Sequence, residues 1–122
     1  QFHNMLVWNQ GAPTRNRWYM KNLDYTLYFW KGVARPITTP GSTQLYQENR
    51  PPERFHPTQK PVGLMRHYIA NSTDWGGCVL DPYMGSGTPM VAAVHEGRAG
   101  IGLEDEREHF ETAVKRVREA VG

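Results

Sequence analysis

The stretch Cys78-Val79-Leu80-Asp81-Pro82-Tyr83-Met84-Gly85-Ser86-Gly87-Thr88 carries the strongest fold signal in this chain. Its first three residues form a short apolar run, which predicts a strand buried on both faces of a parallel sheet. A turn with two glycines follows, and Pro89 can occupy the first position of a helix of small apolar residues that ends before Gly97. Strand, tight turn and helix are therefore contiguous.

The same alternation continues downstream. Residues 99–104 predict a second apolar strand that ends at the acidic Glu104. Asp105 with Glu108 three residues later resembles a capping box, and the helix that it opens has one apolar face. Residues 61–70 predict a further helix upstream, with Pro61 in its first turn. From Cys78 onward the predicted order is β-α-β-α.

The first half of the chain differs in composition. Residues 5–9 and 25–30 are aromatic and β-branched runs of strand length, which predict two strands. Residues 11–17 between them are rich in breakers and predict a loop that presents Arg15 and Arg17 to solvent. Residues 33–57 contain several prolines and predict a loop or linker.

Charge is distributed unevenly along the 122 residues. Residues 1–60 hold eight Lys and Arg against three Asp and Glu, whereas residues 61–122 hold six against nine. A basic half interleaved with aromatic residues can meet a polyanion, because Lys and Arg displace the counterions of phosphates. A solvated basic face explains the same charge equally well.

Composition limits the class of protein. With 39% hydrophobic and 21% charged residues, the chain suits one globular domain or a piece of one. No stretch is apolar enough to span a bilayer and no signal pattern is present, so we expect a cytoplasmic protein without a membrane partner. Cys78 is expected to be a small buried hydrophobe. The five histidines lack ligand spacing, so we expect no metal.

The glycine turn and Glu104 together carry the chemistry. Ligands of open α/β sheets lie beyond the carboxyl ends of the strands, where glycines let a ligand approach the backbone. An acid that ends the second strand can accept hydrogen bonds from two ribose hydroxyls. The constellation therefore indicates adenosine recognition.

Other interpretations of the turn fit less well. A P-loop needs a lysine after Gly87, where Thr88 stands, and a hydrolase elbow needs glycine where Met84 stands. A dinucleotide site is weakened by Met90 in place of a third glycine. A purely structural turn explains the glycines but not the flanking acids.

Three motifs in this order resemble the S-adenosylmethionine-dependent DNA amino-methyltransferases. They are His56-Pro57-Thr58-Gln59-Lys60-Pro61, the stretch 81–88 and Ile101-Gly102-Leu103-Glu104. Their order resembles the permuted subgroup, whose cofactor motifs follow the catalytic motif. Residues 6–8 and 24–32 are similar to two late strands of that family. The resemblance implies S-adenosyl-L-methionine as the cofactor and double-stranded DNA as a partner.

The resemblance also implies roles for particular residues. Glu104 would hold the ribose hydroxyls, the turn would line the methionine end of the cofactor, and Thr58 and Lys60 would face its carboxylate. The charge of the basic first half, and not the resemblance, gives the candidate DNA-binding residues Arg15, Arg17 and Lys21. The complete set of cofactor-binding candidates is Thr58, Lys60, Asp81, Pro82, Tyr83, Gly85, Ser86, Gly87, Thr88 and Glu104.

The chain departs from the family in one important respect. The family uses a tetrapeptide of the form Asp/Asn/Ser-Pro-Pro-aromatic to hold a flipped base, and the only Pro-Pro here is Arg50-Pro51-Pro52-Glu53. No catalytic residue is therefore assigned. We expect an α/β fold, part of a Rossmann-like methyltransferase sheet, whose central strands and catalytic motif come from a missing N-terminal portion or a partner subunit.

The resemblance divides the chain into three parts. Residues 1–32 would be a β-hairpin of the catalytic domain, residues 33–55 a loop or short target-recognition segment, and residues 56–122 the cofactor-binding half. The leading hypothesis is the C-terminal part of a DNA methyltransferase that acts on adenine or cytosine amino groups and is inactive alone. The alternatives are a non-catalytic cofactor- or DNA-binding module and a methyltransferase of small molecules or proteins.

Overall fold

The chain forms two compact units, residues 1–50 and residues 51–122, which are described separately. The computed structural model describes residues 1–56 and 58–122. Pro57, part of the predicted 56–61 motif, lies outside the described residues. Within these two ranges no helix combines the length and apolarity needed to cross a membrane.

The first unit is a three-stranded sheet. Strands β1 (Phe2–Thr14) and β2 (Lys21–Phe29) form an antiparallel hairpin, and β3 (Leu45–Gln47) pairs in parallel with β1 on its other side. Trp8 is buried, and its indole N–H donates to the carbonyl of Glu48 at 2.8 Å. This bond ties the segment after β3 to the middle of β1.

The predicted strands of this unit are confirmed, but their bounds and the loops were partly wrong. β1 continues through Gly11 to Thr14, where a loop was predicted, because pairing of Thr14 with Lys21 extends the ladder beyond an irregularity. β3 lies within the segment predicted as loop or linker, where Leu45 pairs with Val7. Three residues that pair with a distant strand leave little periodic signal.

The second unit has the predicted β-α-β-α order after a first helix. Its elements are α1 (Val62–Ser72), β4 (Cys78–Asp81), α2 (Thr88–His95), β5 (Ala99–Gly102) and α3 (Arg107–Val121). Strands β4 and β5 are parallel, with Leu80 opposite Ile101 and Asp81 opposite Gly102. The two strands therefore end side by side, as a ligand site beyond their carboxyl ends requires.

The core of this unit lies between one face of the sheet and the helices. Val79 contacts both of its buried clusters, one formed by Ile69, Ala92 and Ala93 and the other by Met84, Met90 and Ala113. Gly100 permits close packing of β5, since a Cβ there would lie 2.8 Å from the sulfur of Met90. The small residues of α2 and β5 thus bring helix and sheet together.

The prediction that β4 is buried on both faces was wrong. Leu80 is 64% exposed and Ile101 beside it is 56% exposed, because the helices of the described chain cover only the face that carries Val79. Cys78 shares the exposed face of β4, so its expected burial was wrong for the same reason. The uncovered face is apolar.

Helix starts also differ from the predictions. Pro61 precedes α1 as its N-cap, and α2 begins at Thr88, which places Pro89 at its second position. The predicted capping box of Asp105 and Glu108 does not form. The N-cap of α3 is Glu106, without a side-chain cap, and its backbone N–H donates to the carboxylate of Glu104 instead.

Candidate functional site

The turn after β4 is fixed by its own hydrogen bonds and by two glycines. The backbone N–H of Tyr83 donates to the carboxylate of Asp81 at 2.9 Å, and that of Gly87 donates to the carbonyl of Met84 at 2.9 Å. Gly87 has φ +80° and Gly85 has φ +54°, a left-handed conformation that favours glycine. The sequence of the turn thus dictates its path.

Two further backbone bonds join this turn to the segment after β5. The N–H of Leu103 donates to the carbonyl of Asp81 at 2.9 Å, and the N–H of Met84 donates to the carbonyl of Leu103 at 3.0 Å. These bonds extend the pairing of the strands into the turn. Glu104, the next residue, is consequently held beside the turn.

The carboxylate of Glu104 is stabilised in its charged form. One of its oxygens accepts a hydrogen bond from the backbone N–H of Glu106 at 2.9 Å. That bond is the main reason that the pKa of Glu104 is lowered, and Asp105, the backbone N–H of Gly85 and the charge of His109 lower it further against a smaller opposing effect of burial. Glu104 is therefore an anionic hydrogen-bond acceptor at neutral pH.

A cavity of about 500 Å³ lies between these groups. Eight of the ten predicted cofactor residues line it, namely Thr58, Lys60, Asp81, Tyr83, Gly85, Ser86, Thr88 and Glu104. Two do not: Pro82 is exposed, and Gly87 packs on α3, where a Cβ would lie 2.7 Å from that of Ala113. Both shape the turn without facing the cavity.

Six lining residues were not predicted. They are His56, Gln59, Met65, Met84, Pro89 and Asp105. Five of them lie within two positions of a predicted residue. Met65 instead follows the 56–61 motif within about one helical turn. Proximity to the motifs was the available signal, but only the folded chain shows which neighbours face inward.

His56 joins the 56–60 segment to the turn. Its Nδ1 lies 2.9 Å from the hydroxyl oxygen of Thr58, and its ring packs edge-on against His109 with 4.5 Å between centroids. A Cβ on Gly85 would lie 3.7 Å from the same ring. The segment that carries Thr58 and Lys60 therefore lies against the glycine turn.

Arg116 is the most informative residue that the sequence did not identify. By sequence it is one of several basic residues toward the end of α3, where a cation suits the helix dipole. In the structure its guanidinium instead donates to the carbonyl of Ser86 at 2.6 Å. No sequence signal distinguishes it from Lys115, which lies on an exposed part of the helix.

The predicted DNA-binding residues belong to the first unit. Arg15, Arg17 and Lys21 lie at the turn end of the β1–β2 hairpin and are exposed. The amide of Asn16 accepts from the N–H of Trp18 at 2.8 Å and donates to the carbonyl of Tyr19 at 3.3 Å. The turn is thus ordered by one side chain and presents its three cations to solvent.

Potential metal ligands are dispersed in the structure. Among residues 1–56 and 58–122, no group of three or more His, Cys, Asp or Glu is placed to hold a metal ion.

The sequence of the chain matches a known family. The DNA methylase family model, N6_N4_Mtase, matches residues 7–115, so the chain belongs to the DNA methylase family. The match spans both units. The methyltransferase resemblance predicted from the sequence is thereby confirmed, and the predicted α/β fold is confirmed by the solved structures described below.

Curated relatives match part of the chain. The type II methyltransferase M2.DpnII of Streptococcus pneumoniae is 47% identical over 62 residues, which is 51% of this chain and 23% of that protein. The type II methyltransferase M.HpaI of Haemophilus parainfluenzae is 43% identical over 70 residues, 57% of this chain and 21% of that protein. The matched regions are thus less than a quarter of these relatives.

Solved structures extend the similarity to nearly the whole chain. The crystal structure of the M1.HpyAVI-SAM complex is 33% identical, with a TM-score of 0.82 over 95% of this chain and 62% of that one. The cytosine-N4-specific PvuII DNA methyltransferase shares the fold at 17% identity, with a TM-score of 0.81 over 94% of this chain and 51% of that one. The chain therefore spans between half and two thirds of these two structures.

Proposed function

We propose that the chain is the S-adenosylmethionine-binding part of a DNA methyltransferase that modifies the exocyclic amino nitrogen of adenine or cytosine. The observation that carries the proposal is that Glu104 and the glycine turn face one cavity. Its volume of about 500 Å³ falls within the range of roughly 300–1,000 Å³ common for small-molecule sites. Support also comes from M1.HpyAVI, which was crystallised as a complex with SAM.

The residues around the cavity fit this cofactor. The carboxylate of Glu104 can accept hydrogen bonds from two ribose hydroxyls, and Met65 and Met84 offer apolar surface. Lys60 supplies a cation for the methionine carboxylate, and the positive end of the α2 dipole at Thr88 adds to it. The cavity thus offers an anionic group, Glu104, for the ribose end of the cofactor and a cationic group, Lys60, for its carboxylate end.

Catalysis in this proposal is mainly alignment. S-adenosylmethionine carries a methyl group on a sulfonium, which makes that carbon electrophilic. The chain would contribute by binding and orienting this donor for an attacking amino nitrogen. Glu104 would hold its ribose end and Lys60 its carboxylate end.

The rest of the active site would come from another segment. The chain has no Asp/Asn/Ser-Pro-Pro-aromatic tetrapeptide, and Leu80, Ile101 and Leu103 leave apolar surface uncovered beside the cavity strands. We assign both deficits to one missing element, an N-terminal portion or partner subunit that covers this face and supplies the base-holding motif.

DNA contact is assigned to the hairpin turn. Arg15, Arg17 and Lys21 would pair with phosphates, and the exposed rings of Trp18 and Tyr19 between them offer flat surfaces to bases. Asn16 holds the turn in shape before DNA arrives, which lowers the ordering cost of binding.

Calorimetric titration of S-adenosylmethionine into the full-length protein tests the proposal. We expect binding, and we expect Glu104→Gln to weaken it about tenfold to a hundredfold, because a hydrogen bond to a charged group contributes about 1.5–3 kcal/mol. Glu108→Gln is the matched control, since Glu108 is exposed in the first turn of α3 and does not line the cavity.

Two outcomes would contradict the proposal. If the folded protein does not bind S-adenosylmethionine, the proposed function is wrong. If wild type and Glu104→Gln bind it with equal affinity, the role assigned to Glu104 is wrong. Transfer of a tritiated methyl group to DNA then separates the enzyme from a non-catalytic module, which would bind the cofactor but leave DNA unmodified.

A further inference from the structure

Arg116 on α3 does not line the cavity, but it contacts the glycine turn that does. One of its terminal nitrogens donates to three oxygens of that turn: the carbonyl of Ser86 at 2.6 Å, the hydroxyl of Ser86 at 3.0 Å and the hydroxyl of Thr88 at 3.1 Å. Ser86 and Thr88 are themselves 3% and 4% exposed. The buried residues Ser86 and Thr88 are thus held by one charged donor from α3.

The contacts of Arg116 continue into the segment before α1. The hydroxyl of Ser86 also lies 3.3 Å from the side-chain oxygen of Gln59, and that oxygen accepts the backbone N–H of Phe55 at 2.9 Å. The guanidinium of Arg116 lies over the ring of Phe55, 5.2 Å from its centroid. Phe55, Gln59, Ser86 and Arg116 therefore form a closed ring of contacts.

This ring joins the two parts of the chain that carry the proposed methionine site. Gln59 lies between Thr58 and Lys60, and Ser86 lies between Gly85 and Gly87. The guanidinium of Arg116 on α3 contacts both the glycine turn, through Ser86, and the segment before α1, through Phe55. We propose that Arg116 is a positioning residue that sets Thr58 and Lys60 against the glycine turn and thereby tunes affinity for the methionine end of the cofactor.

The chemistry of arginine suits this role better than that of lysine. A planar guanidinium can donate in its plane to Ser86 and Thr88 while one face packs on Phe55, which a lysine ammonium does not reproduce. Partial burial lowers the pKa of Arg116, yet an arginine remains protonated at neutral pH. The charge therefore persists where the turn accepts its hydrogen bonds.

The test compares two ligands in the full-length protein, because the inference rests on the proposed cofactor site. Adenosine probes the end held by Glu104, whereas S-adenosylhomocysteine adds the homocysteine end. We expect Arg116→Met to weaken S-adenosylhomocysteine about tenfold to a hundredfold and to change adenosine affinity about threefold or less. Arg116→Lys should recover part of the loss, because it restores charge without the stacking plane.

Lys115→Met is the matched control, since the neighbouring Lys115 is exposed and pairs only weakly with Glu119 at 4.0 Å. Equal losses for both ligands in Arg116→Met would overturn the inference and indicate a general structural role. Unchanged affinity for both ligands would overturn it as well. Failure of the proposed function is distinguishable, because wild type itself would then bind neither ligand.

If Arg116→Met does not fold, Phe55→Leu reports on the same ring from the opposite side, at a residue that does not line the cavity. It removes the aromatic face on which the guanidinium of Arg116 packs and leaves Arg116 and the cavity-lining residues in place. A selective loss of S-adenosylhomocysteine affinity in this variant supports the ring of contacts. Equal affinities in wild type and Phe55→Leu contradict it.

Discussion

The turn after β4 and the turn between β1 and β2 are similar in length but differ in how they are held. Residues 81–88 are bonded to the segment after β5 and to α3, and two of them are almost fully buried. Residues 15–20 are exposed, and the side chain of Asn16 bridges them with two hydrogen bonds. One turn forms the wall of a cavity, and the other presents side chains to solvent.

This contrast indicates which substitutions should matter. In the turn after β4 the backbone path itself makes the site, so a change of one methyl group acts on fold and ligand together. In the exposed turn the side chains are the function, so their removal should leave stability nearly unchanged.

The largest effect is expected from Gly87→Ala. The added Cβ would lie 2.7 Å from that of Ala113, and φ is +80°, so left-handed strain and overpacking together should cost about 2–4 kcal/mol. Urea unfolding followed by far-ultraviolet circular dichroism measures the loss, since the helices of the described chain lie in the second unit.

The control for that variant is Gly76→Ala in the same unit. Gly76 has φ +73° but nothing within 4 Å of an added Cβ, so only the left-handed strain of about 1–2 kcal/mol remains. If the two variants lose equal stability, contact with Ala113 is not what makes Gly87 necessary.

The next largest effect is expected at the exposed turn, and it is an effect on DNA affinity and not on stability. Replacing Arg15, Arg17 and Lys21 with glutamine should weaken DNA binding and reduce the salt slope of log affinity by about 0.9 for each phosphate that is no longer neutralised. Fluorescence anisotropy at several salt concentrations measures the slope. Cofactor affinity should stay within about twofold of wild type, and a large drop in it would show that the two turns do not act independently.

A smaller effect is expected from pH. The pKa of Glu104 is lowered in the folded chain. Its ionised form therefore stabilises the fold at pH values above the ordinary pKa of glutamate, and this stabilisation is lost as the pH falls through the lowered pKa. Unfolding of wild type and Glu104→Gln as a function of pH measures it. The two stability curves should converge only in acid below that range, and convergence already at neutral pH contradicts the assignment.

The smallest effect is expected from Asn16→Ala. It removes two hydrogen bonds from an exposed turn, so the stability of the first unit should fall by about 1 kcal/mol or less. DNA affinity should fall modestly, because the cations remain but the turn must be ordered on binding. Fluorescence of the tryptophans during urea unfolding and anisotropy with DNA check the two parts. A loss of stability as large as that expected for Gly87→Ala would contradict the difference that we infer between the two turns.

Features of the fold and the site were predictable from the sequence where neighbouring residues determine them. The order of elements from Cys78 to the end, and the glycine turn with Glu104, came from local patterns, because glycines and an acid at strand ends are constrained by their own backbone positions. The roles of Thr58 and Lys60 came only from the family resemblance. β3 was missed because its three residues pair with a strand nearly forty positions earlier. The exposure of Cys78 was missed because burial depends on which helices cover a strand, and this is not encoded in the strand.

The amino-acid sequence was sufficient for the class of fold, the family resemblance and the order in which the glycine turn and Glu104 follow the two strands. The folded chain was needed to show that Arg116 reaches Ser86 and Thr88, and that Pro82 and Gly87 do not face the cavity. The physical reason is range. Turn geometry and strand ends are set by neighbouring residues, whereas a bond such as that from Arg116 to Ser86 exists only after helix and sheet have packed.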